Sequence, residues 1–574
     1  MSAHPFATTL DPGSSRANHT GAWRVERPVY AHGLPPCAAA CPAGEAVRDW
    51  LYTAEDGSYE TAWRRLMRDN PLPAVMGRVC YHPCETACNR GQLDQVVGIN
   101  AVERFLGDEA IRRGWTVPRG AEPTGRRVLV VGSGPAGLSA AYQLALRGHA
   151  VTVREAAAKL GGMLRYGIPR YRLPREVLDA EIARIAALGV RFETQSCVDD
   201  LDAALREGGF DAAFLGVGAQ AGKNAYVPAG DSAHVLDALT VLAAAEDRWP
   251  LRLGRRVAIY GGGNTAMDAA RTARRLGATD AVVVYRRTRE RMPAHESELE
   301  EALAEGVSVR WLSTIAHADR GLIAVERMEL DESGFPQPTG RFETLEADTL
   351  VLALGQSADL GWLAGAAGVG VGDGVIDVDA DLATGRPGVY AGGDAVAGPE
   401  RTATGAIGQG AAAARRIDRY LSAVAGEQRD VPRQQPSAET PVPFGRLNTW
   451  YYSDAPAMLR PQLDAARRVD TFAEVVQGLT EHNALYEARR CLSCGNCFGC
   501  DNCYGVCPDN AITKLGFDAD GQPRYAIDLE YCKGCGLCAA ECPAAAIEMV
   551  PEPARDEPAD RTEHRDAALQ DVGP

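Results

Sequence analysis

Residues 127–137 read Arg127-Val-Leu-Val-Val131-Gly132-Ser-Gly134-Pro-Ala-Gly137, an apolar strand run straight into a G-x-G-x-x-G turn. A stretch with the pattern of a helix, 138–147, follows. The three glycines allow the tight turn, let the backbone approach a pyrophosphate and bring helix against strand. The helix N-terminus then offers free N–H groups to the phosphate. A second strand, 150–153, leads to Glu155, about 20 residues on, where a carboxylate binds ribose hydroxyls. A bare glycine pattern could be a chance loop, but strand, turn, helix, strand and acid in this order define a dinucleotide site. The unit recurs: Arg256-Val-Ala-Ile-Tyr260 precedes Gly261-x-Gly263-Asn264-Thr265-Ala266, a helix over 267–276 and a strand over 281–285. That strand ends in Arg286-Arg287 rather than an acid. Guanidinium groups there suit a 2′-phosphate, hence NADPH, unless they form a solvated surface run.

A chain of 574 residues is too long for one core, and about three or four domains are expected. Its 46% hydrophobic and 24% charged residues place it among soluble globular proteins. A net charge of −16 with no basic block argues against a nucleic-acid surface. There is no apolar leader and no run of about 18 apolar residues, so an unexported, cytoplasmic protein without membrane insertion is expected. Fifteen of the 16 cysteines gather at 37–41, 80–88 and 491–542. That distribution suits iron held by thiolates in a reducing compartment, not a secreted disulfide scaffold. Cys497-x2-Cys500-x2-Cys503-x3-Cys507-Pro508 and Cys532-x2-Cys535-x2-Cys538-x3-Cys542-Pro543 are two copies of the run that wraps two 4Fe–4S cubanes. Three thiolates come from one run and the fourth from the other. A zinc ribbon is the alternative, but it uses paired C-x2-C knuckles rather than triplets with a trailing Cys-Pro. Cys197, the one cysteine between 126 and 420, reads as a small buried hydrophobe. No redox-active Cys-x-x-Cys therefore sits among the dinucleotide signals.

The expected organisation is a multidomain α/β chain. Residues 1–35 are an extended lead-in, and 36–122 form a helical iron–sulfur domain with helices over 47–53, 59–68 and 100–113. Alternating strands and helices mark two Rossmann-like dinucleotide-binding domains, one over 123–250 and 346–422, the other, 251–345, inserted into it. Residues 423–490 are a linker, rich in Pro, Gln and charge, and a helical stretch over 471–488. A bacterial-type ferredoxin domain, 491–550, and a charged tail expected to be disordered, 551–574, complete the chain. Hydride exchange with a nicotinamide moves two electrons and a cubane takes one, so a flavin, which does both, belongs between them.

Gly132–Gly137, Glu155, Gly161-Gly162 and Gly392-Gly393-Asp394 resemble the split FAD domain of the two-dinucleotide-domain flavoprotein reductases. Gly261–Ala266 resembles the NADPH domain inserted into it. The resemblance implies that Asp394 holds the ribityl–phosphate side of FAD. It also implies that Thr404, Ala406 and Ile407 approach the isoalloxazine from a helix N-terminus. Cys37-x3-Cys41-Pro42 and Cys80-x3-Cys84-x3-Cys88, within Gly77-Arg-Val-Cys-Tyr-His-Pro-Cys-Glu-Thr-Ala-Cys, resemble the N-terminal iron–sulfur domain of the glutamate synthase small subunit, an architecture shared by dihydropyrimidine dehydrogenase. The family opens this domain with an extra Cys-x-x-Cys that residues 29–36 lack. The context of Cys491 and Cys494, Glu487-Ala-Arg-Arg-Cys491-x-x-Cys494-Gly, resembles that missing piece. By this resemblance one N-terminal cluster would use Cys37, Cys88, Cys491 and Cys494. The other would use Cys41, Cys80, Cys84 and Glu103. The alternative is that Cys491 and Cys494 are unligated or hold a separate zinc. With a ferredoxin module fused at its end, the chain most resembles the reductase subunit that serves thiamine-dependent 2-oxoacid:ferredoxin oxidoreductases, passing electrons between NADP(H), FAD and its clusters. The other readings are a glutamate synthase small-subunit-like protein, a free-standing NADPH:ferredoxin reductase with a built-in ferredoxin, and a scaffold subunit with vestigial clusters.

Overall fold

The computed structural model describes residues 19–118, 120–222, 234–246, 251–398, 401–426, 440–518 and 521–553. Residues 554–574 of the expected tail and 427–439 of the expected linker lie outside these residues.

Two parallel five-stranded sheets form the centre. In the first the order is Val389–Ala391, Ala212–Leu215, Arg127–Val131, Ala150–Arg154, Arg191–Glu193. The strand of the first glycine motif lies in the middle, buried from Val128 to Val131, as a parallel strand covered on both faces requires. Helices Pro135–Leu146 and Ala403–Ala425 pack side by side on this sheet. Their approach is close enough that a Cβ on Gly410 would lie 2.2 Å from the carbonyl oxygen of Ala136. The second sheet runs Ser308–Arg310, Asp280–Val284, Arg256–Tyr260, Thr349–Leu352, His234–Asp237. A three-stranded antiparallel sheet, Ser313–Asp319, Leu322–Leu330 and Pro336–Glu346, hangs from it. Strands His234–Asp237 and Thr349–Leu352 thus join the second sheet, although the sequence reading gave them to the first. The apolar run 349–352 has no glycine signature of its own, and only the ladder beside Arg256–Tyr260 decides which sheet it extends.

The N-terminal domain is built on helices Val47–Ala54, Tyr59–Leu66, Pro73–Val79 and Ile99–Arg113, close to the expected spans. The lead-in is not free. Strand Glu26–Tyr30 pairs antiparallel with Ile547–Pro551, from Glu26 opposite Pro551 to Tyr30 opposite Ile547. The first and last described strands therefore form one ribbon of the ferredoxin domain, beside the hairpin Ile512–Phe517 and Pro523–Ile527. The expected helix over 471–488 is corrected to Glu481–Arg489. The preceding residues run extended: Val475 donates its N–H to the Tyr171 carbonyl at 2.9 Å and Gln477 to that of Pro461 at 2.8 Å. β-Branched Val475 and Val476 and then Gly478 oppose a helix there, and Thr480 caps the new one by accepting from the Asn483 N–H.

Candidate functional site

A cleft of about 850 Å³ runs between the two sheets and reaches both glycine loops. Gly132 adopts φ +96°, and a Cβ on Gly137 would lie 1.9 Å from the Gly132 oxygen, so helix and loop close only with glycine at these positions. Gly134 and Gly263 are the opposite case. A Cβ on either would meet nothing within 4 Å, because both face the open cleft, where a pyrophosphate can approach the backbone. Gly261, φ +149°, sits tight against the Ala353 carbonyl. Glu155 lines the cleft and braces the first loop: Oε2 accepts from the Ser133 N–H and hydroxyl at 2.9 and 2.6 Å, and Oε1 from the Ala157 N–H at 2.8 Å. Gly162, Gly393, Asp394 and Ala406 also line it. Burial pushes the Asp394 carboxyl up, opposed by the charge of Arg401.

Thr404 and Ile407 do not line this cleft, contrary to the sequence reading. Helix Ala403–Ala425 presents Thr402, Ala403 and Ala406 to it. Thr404, a helical step round, is buried against Met76 of the iron–sulfur domain, its hydroxyl 3.7 Å from Met76 Sδ and hydrogen-bonded to Cys80. Ile407 is core, and its carbonyl accepts from Ser139 Oγ at 2.8 Å. In the second loop Asn264 and Thr265 face the cleft; Asn264 Oδ1 accepts from the His295 N–H at 2.8 Å. Arg286 and Arg287 follow strand Asp280–Val284 outside the cleft lining. Arg286 is exposed, 6.0 Å over the Phe335 ring, and Arg287 carries a buried Nε without a partner. Neither makes an ion pair among the described residues, so both guanidiniums are available to an anion. Cys197 is exposed and lines the cleft, a correction to the buried reading. Strand Arg191–Glu193 ends before it, and Cys197 lies in the loop beyond.

Twelve of the sixteen cysteines fall into three sets of four. One small cavity is lined by Cys497, Cys500, Cys503 and Cys542, and another by Cys507, Cys532, Cys535 and Cys538. Each therefore takes three sulfurs from one run and the fourth from the other. A third is lined by Cys37, Cys88, Cys491 and Cys494, drawn from three distant segments. Burial, with Cys494 and Cys88 alongside, pushes the Cys491 thiol up to about 12. Burial likewise drives Cys37 well up, with Cys491, Cys88 and Cys494 adding to it. Thiols this crowded and dry are poor anions alone, and iron would supply the compensating charge. Cys41, Cys80 and Cys84 each lie within the field of Glu103, a buried carboxylate that accepts from Asn70 Nδ2 at 2.8 Å. No three His, Cys, Asp or Glu side chains among the described residues are placed to hold a single metal ion. Four sulfurs round a cavity but not round a point fit a cubane, which spreads its ligands, better than zinc with its bonds of about 2.3 Å.

Sequence reasoning missed four residues. Glu45, buried and sharing Asn70 with Glu103, stands closer to Cys41 in effect than Glu103 does. The Tyr30 hydroxyl lies 3.2 Å from Cys503 Sγ. Tyr81 and Arg172 line the dinucleotide cleft from two different domains. No local pattern marks any of them.

Residues 126–410 match the pyridine nucleotide-disulphide oxidoreductase family, 25–115 the dihydropyrimidine dehydrogenase domain II with its 4Fe–4S cluster, and 496–546 the 4Fe–4S dicluster domain. The NADP(+)-dependent formate dehydrogenase subunit beta of Moorella thermoacetica is 38% identical over 504 residues, 80% of this chain and 70% of that protein. The NADPH-Fe(3+) oxidoreductase subunit beta of Geobacter sulfurreducens is 33% identical over 82% of this chain and 77% of its own length. The glutamate synthase [NADPH] small chain of Escherichia coli is 31% identical over 68% and 89%. Fold, cleft and cysteine sets together define an NADP- and FAD-dependent iron–sulfur oxidoreductase. The chain belongs to the glutamate synthase small-subunit-like NADPH/FAD oxidoreductases, with 4Fe–4S domains at both its N- and C-terminal ends. No helix among the described residues is long and apolar enough to cross a membrane.

Proposed function

We propose that this chain is the NADP(H)-linked electron-transfer subunit of a larger oxidoreductase, carrying four cubanes. Their ligands are Cys41, Cys80, Cys84 and Glu103; Cys37, Cys88, Cys491 and Cys494; Cys497, Cys500, Cys503 and Cys542; and Cys507, Cys532, Cys535 and Cys538. Gly132, Gly134, Gly137, Glu155, Gly162, Gly393, Asp394 and Ala406 hold FAD. Gly261, Gly263, Asn264, Thr265, Arg286 and Arg287 hold NADP(H). Bound there, flavin exchanges a hydride with nicotinamide and single electrons with iron–sulfur clusters. The observation that carries this reading is continuity. Helix Ala403–Ala425 touches the cleft with Ala406 and the Cys80 set with Thr404, while two residues separate Cys494, in the third cavity, from Cys497 in the ferredoxin domain. The chain's own part is to fix these sites in order, keep water from the inner clusters by burial, and place the ferredoxin cubanes near the surface, where Cys500 and Cys535 are exposed. Thiolate-held iron of this kind favours the cytoplasm as its compartment.

For the partner, a thiamine-dependent 2-oxoacid:ferredoxin oxidoreductase would feed electrons in at the ferredoxin end, to leave as NADPH. A formate-oxidising partner is the second reading, favoured by the 38% identity to a formate dehydrogenase beta subunit. Anaerobic purification from the source organism, with the co-purifying subunits assayed for NADP⁺ reduction by 2-oxoacid plus coenzyme A or by formate, separates the two. Failure of NADPH to reduce the iron–sulfur signals of the isolated chain would remove the common reading.

A further inference from the structure

The wall of the cleft facing the second glycine loop is not made by the dinucleotide domains alone. Tyr81, next to Cys80 in the iron–sulfur domain, lines the cleft and lays its ring on that of His295, centroids 4.8 Å apart and planes 15° apart. His295 belongs to the turn that seals the loop: Ala294 donates its N–H to the Gly262 carbonyl at 3.0 Å, and His295 donates its own to Asn264 Oδ1 at 2.8 Å. Arg172 hydrogen-bonds the Tyr81 hydroxyl. The same guanidinium pairs with Asp268 at 2.7 Å, on the helix the loop opens, and with Glu298. One side chain of the iron–sulfur domain thus touches both the lip of the nucleotide loop and the arginine that ties its helix to the flavin side.

We propose that Tyr81 is a positioning residue for NADP(H), holding the 293–295 lip and through it the Asn264 side chain in the geometry that receives the nucleotide. The inference rests on reading the second glycine loop as the NADP(H) site. Tyr81 acts through His295. An aromatic stack of this kind contributes enough that its loss should weaken binding roughly three- to tenfold.

The test uses the full chain loaded with FAD and iron, with NADP⁺ as the probe in equilibrium dialysis, alongside NADPH-dependent viologen reduction. Tyr81→Ala should raise the NADP⁺ Kd and the KM for NADPH roughly three- to tenfold, leaving FAD content and kcat unchanged. Tyr81→Phe, which keeps the stack, should stay within about twofold of wild type. His295→Ala removes the other ring from a different domain and should match Tyr81→Ala. The double variant should be no worse than either single one, as expected for one shared contact. His295→Ala decides the matter if Tyr81→Ala fails to load iron. Gly263→Val is the control, since its side chain would fill the phosphate cradle. If it still binds NADP⁺, the site reading itself falls. If it loses NADP⁺ while His295→Ala and Tyr81→Ala bind normally, the role of Tyr81 alone is overturned.

Discussion

Replacing Cys491 and Cys494 together with alanine tests whether the two ends of the chain share a cluster. The cavity they line contains two other sulfurs, Cys37 and Cys88, and two thiolates cannot hold a cubane. The ferredoxin cavities share no cysteine with it. Four cubanes hold about sixteen iron atoms, so the double variant should lose about four, a quarter of the total. The segment itself should stay in place. Arg490 is buried and donates to the carbonyls of Ala455 at 3.0 Å, Val96 at 2.8 Å and Gln95 at 2.6 Å. Arg48 holds the Cys494 carbonyl at 3.1 Å, and the Gly33 N–H holds that of Gly495 at 3.0 Å. Iron and FAD are quantified on the anaerobically purified variant, and the reduced clusters are counted by electron paramagnetic resonance. NADPH should still bleach the flavin, while reduction of an acceptor at the ferredoxin end collapses because the path is cut. Unchanged iron would refute the shared cluster, and a loss of about three quarters of the iron would show that the ferredoxin cubanes also depend on these cysteines. Cys197→Ser is the control, and it should keep all the iron.

Arg286→Ala/Arg287→Ala should weaken NADPH use by about 2–3 kcal/mol, at the low end because Arg286 is exposed, with NADH use unchanged in steady-state kinetics; equal losses for both nucleotides would dismiss the 2′-phosphate role. Gly134→Val should fold, since nothing lies within 4 Å of the added Cβ, yet purify without flavin absorbance while keeping its brown cluster bands. Glu181 is fully buried, with its carboxylate accepting from the Ala74 and Val75 N–H groups at 2.9 and 3.0 Å, and burial pushes its carboxyl up to about 7. The folded chain therefore binds this proton more tightly than the unfolded one. The stability it contributes is complete below about pH 4.3 and is lost, by up to about 3 kcal/mol, as pH rises to about 7. Glu181→Gln should flatten the fall in Tm between pH 5.5 and 8, and an unaltered slope would count against this group.

What was legible in the sequence was local. A strand, three glycines and a helix occupy neighbouring positions, and so do the ligands of a ferredoxin run, so their geometry follows from spacing. Arg127–Val131 and Gly132 need only the adjacent helix to be readable. The sets Cys37, Cys88, Cys491, Cys494 and Cys41, Cys80, Cys84 combine distant segments, so family likeness points to them and spacing does not. Thr404 and Ile407 were placed on the right helix but the wrong face, because the helix start fixes which residues point into the cleft. Strand Glu26–Tyr30 was invisible as a strand, since its partner lies some five hundred residues away and Pro28 lowers its propensity. The Tyr81–His295 stack likewise joins two domains, and neither sequence context suggests the other.

These long-range contacts determine how the ferredoxin domain can behave. A module joined through a single linker would be free to swing, and its clusters would lie near the N-terminal ones only part of the time. Here the ribbon of Glu26–Tyr30 with Ile547–Pro551 ties the module to the start of the chain. The cavity shared by Cys37, Cys88, Cys491 and Cys494 ties it again, one turn of chain from Cys497. A third tie is the segment that precedes helix Glu481–Arg489. Its Glu474 pairs with Arg78 at 2.8 Å and Arg104 at 3.0 Å, its Arg460 reaches Asn100 Oδ1 at 3.1 Å, and its Thr471 carbonyl accepts from Arg275 at 3.0 Å. That segment thus grips both the iron–sulfur domain and the nucleotide domain. Several contacts made at once hold a module far more firmly than any one of them, because each keeps the others within reach. On the proposed ligand sets the ferredoxin cubanes would be a fixed extension of the N-terminal clusters, and a partner would reach them at the surface where Cys500 and Cys535 are exposed.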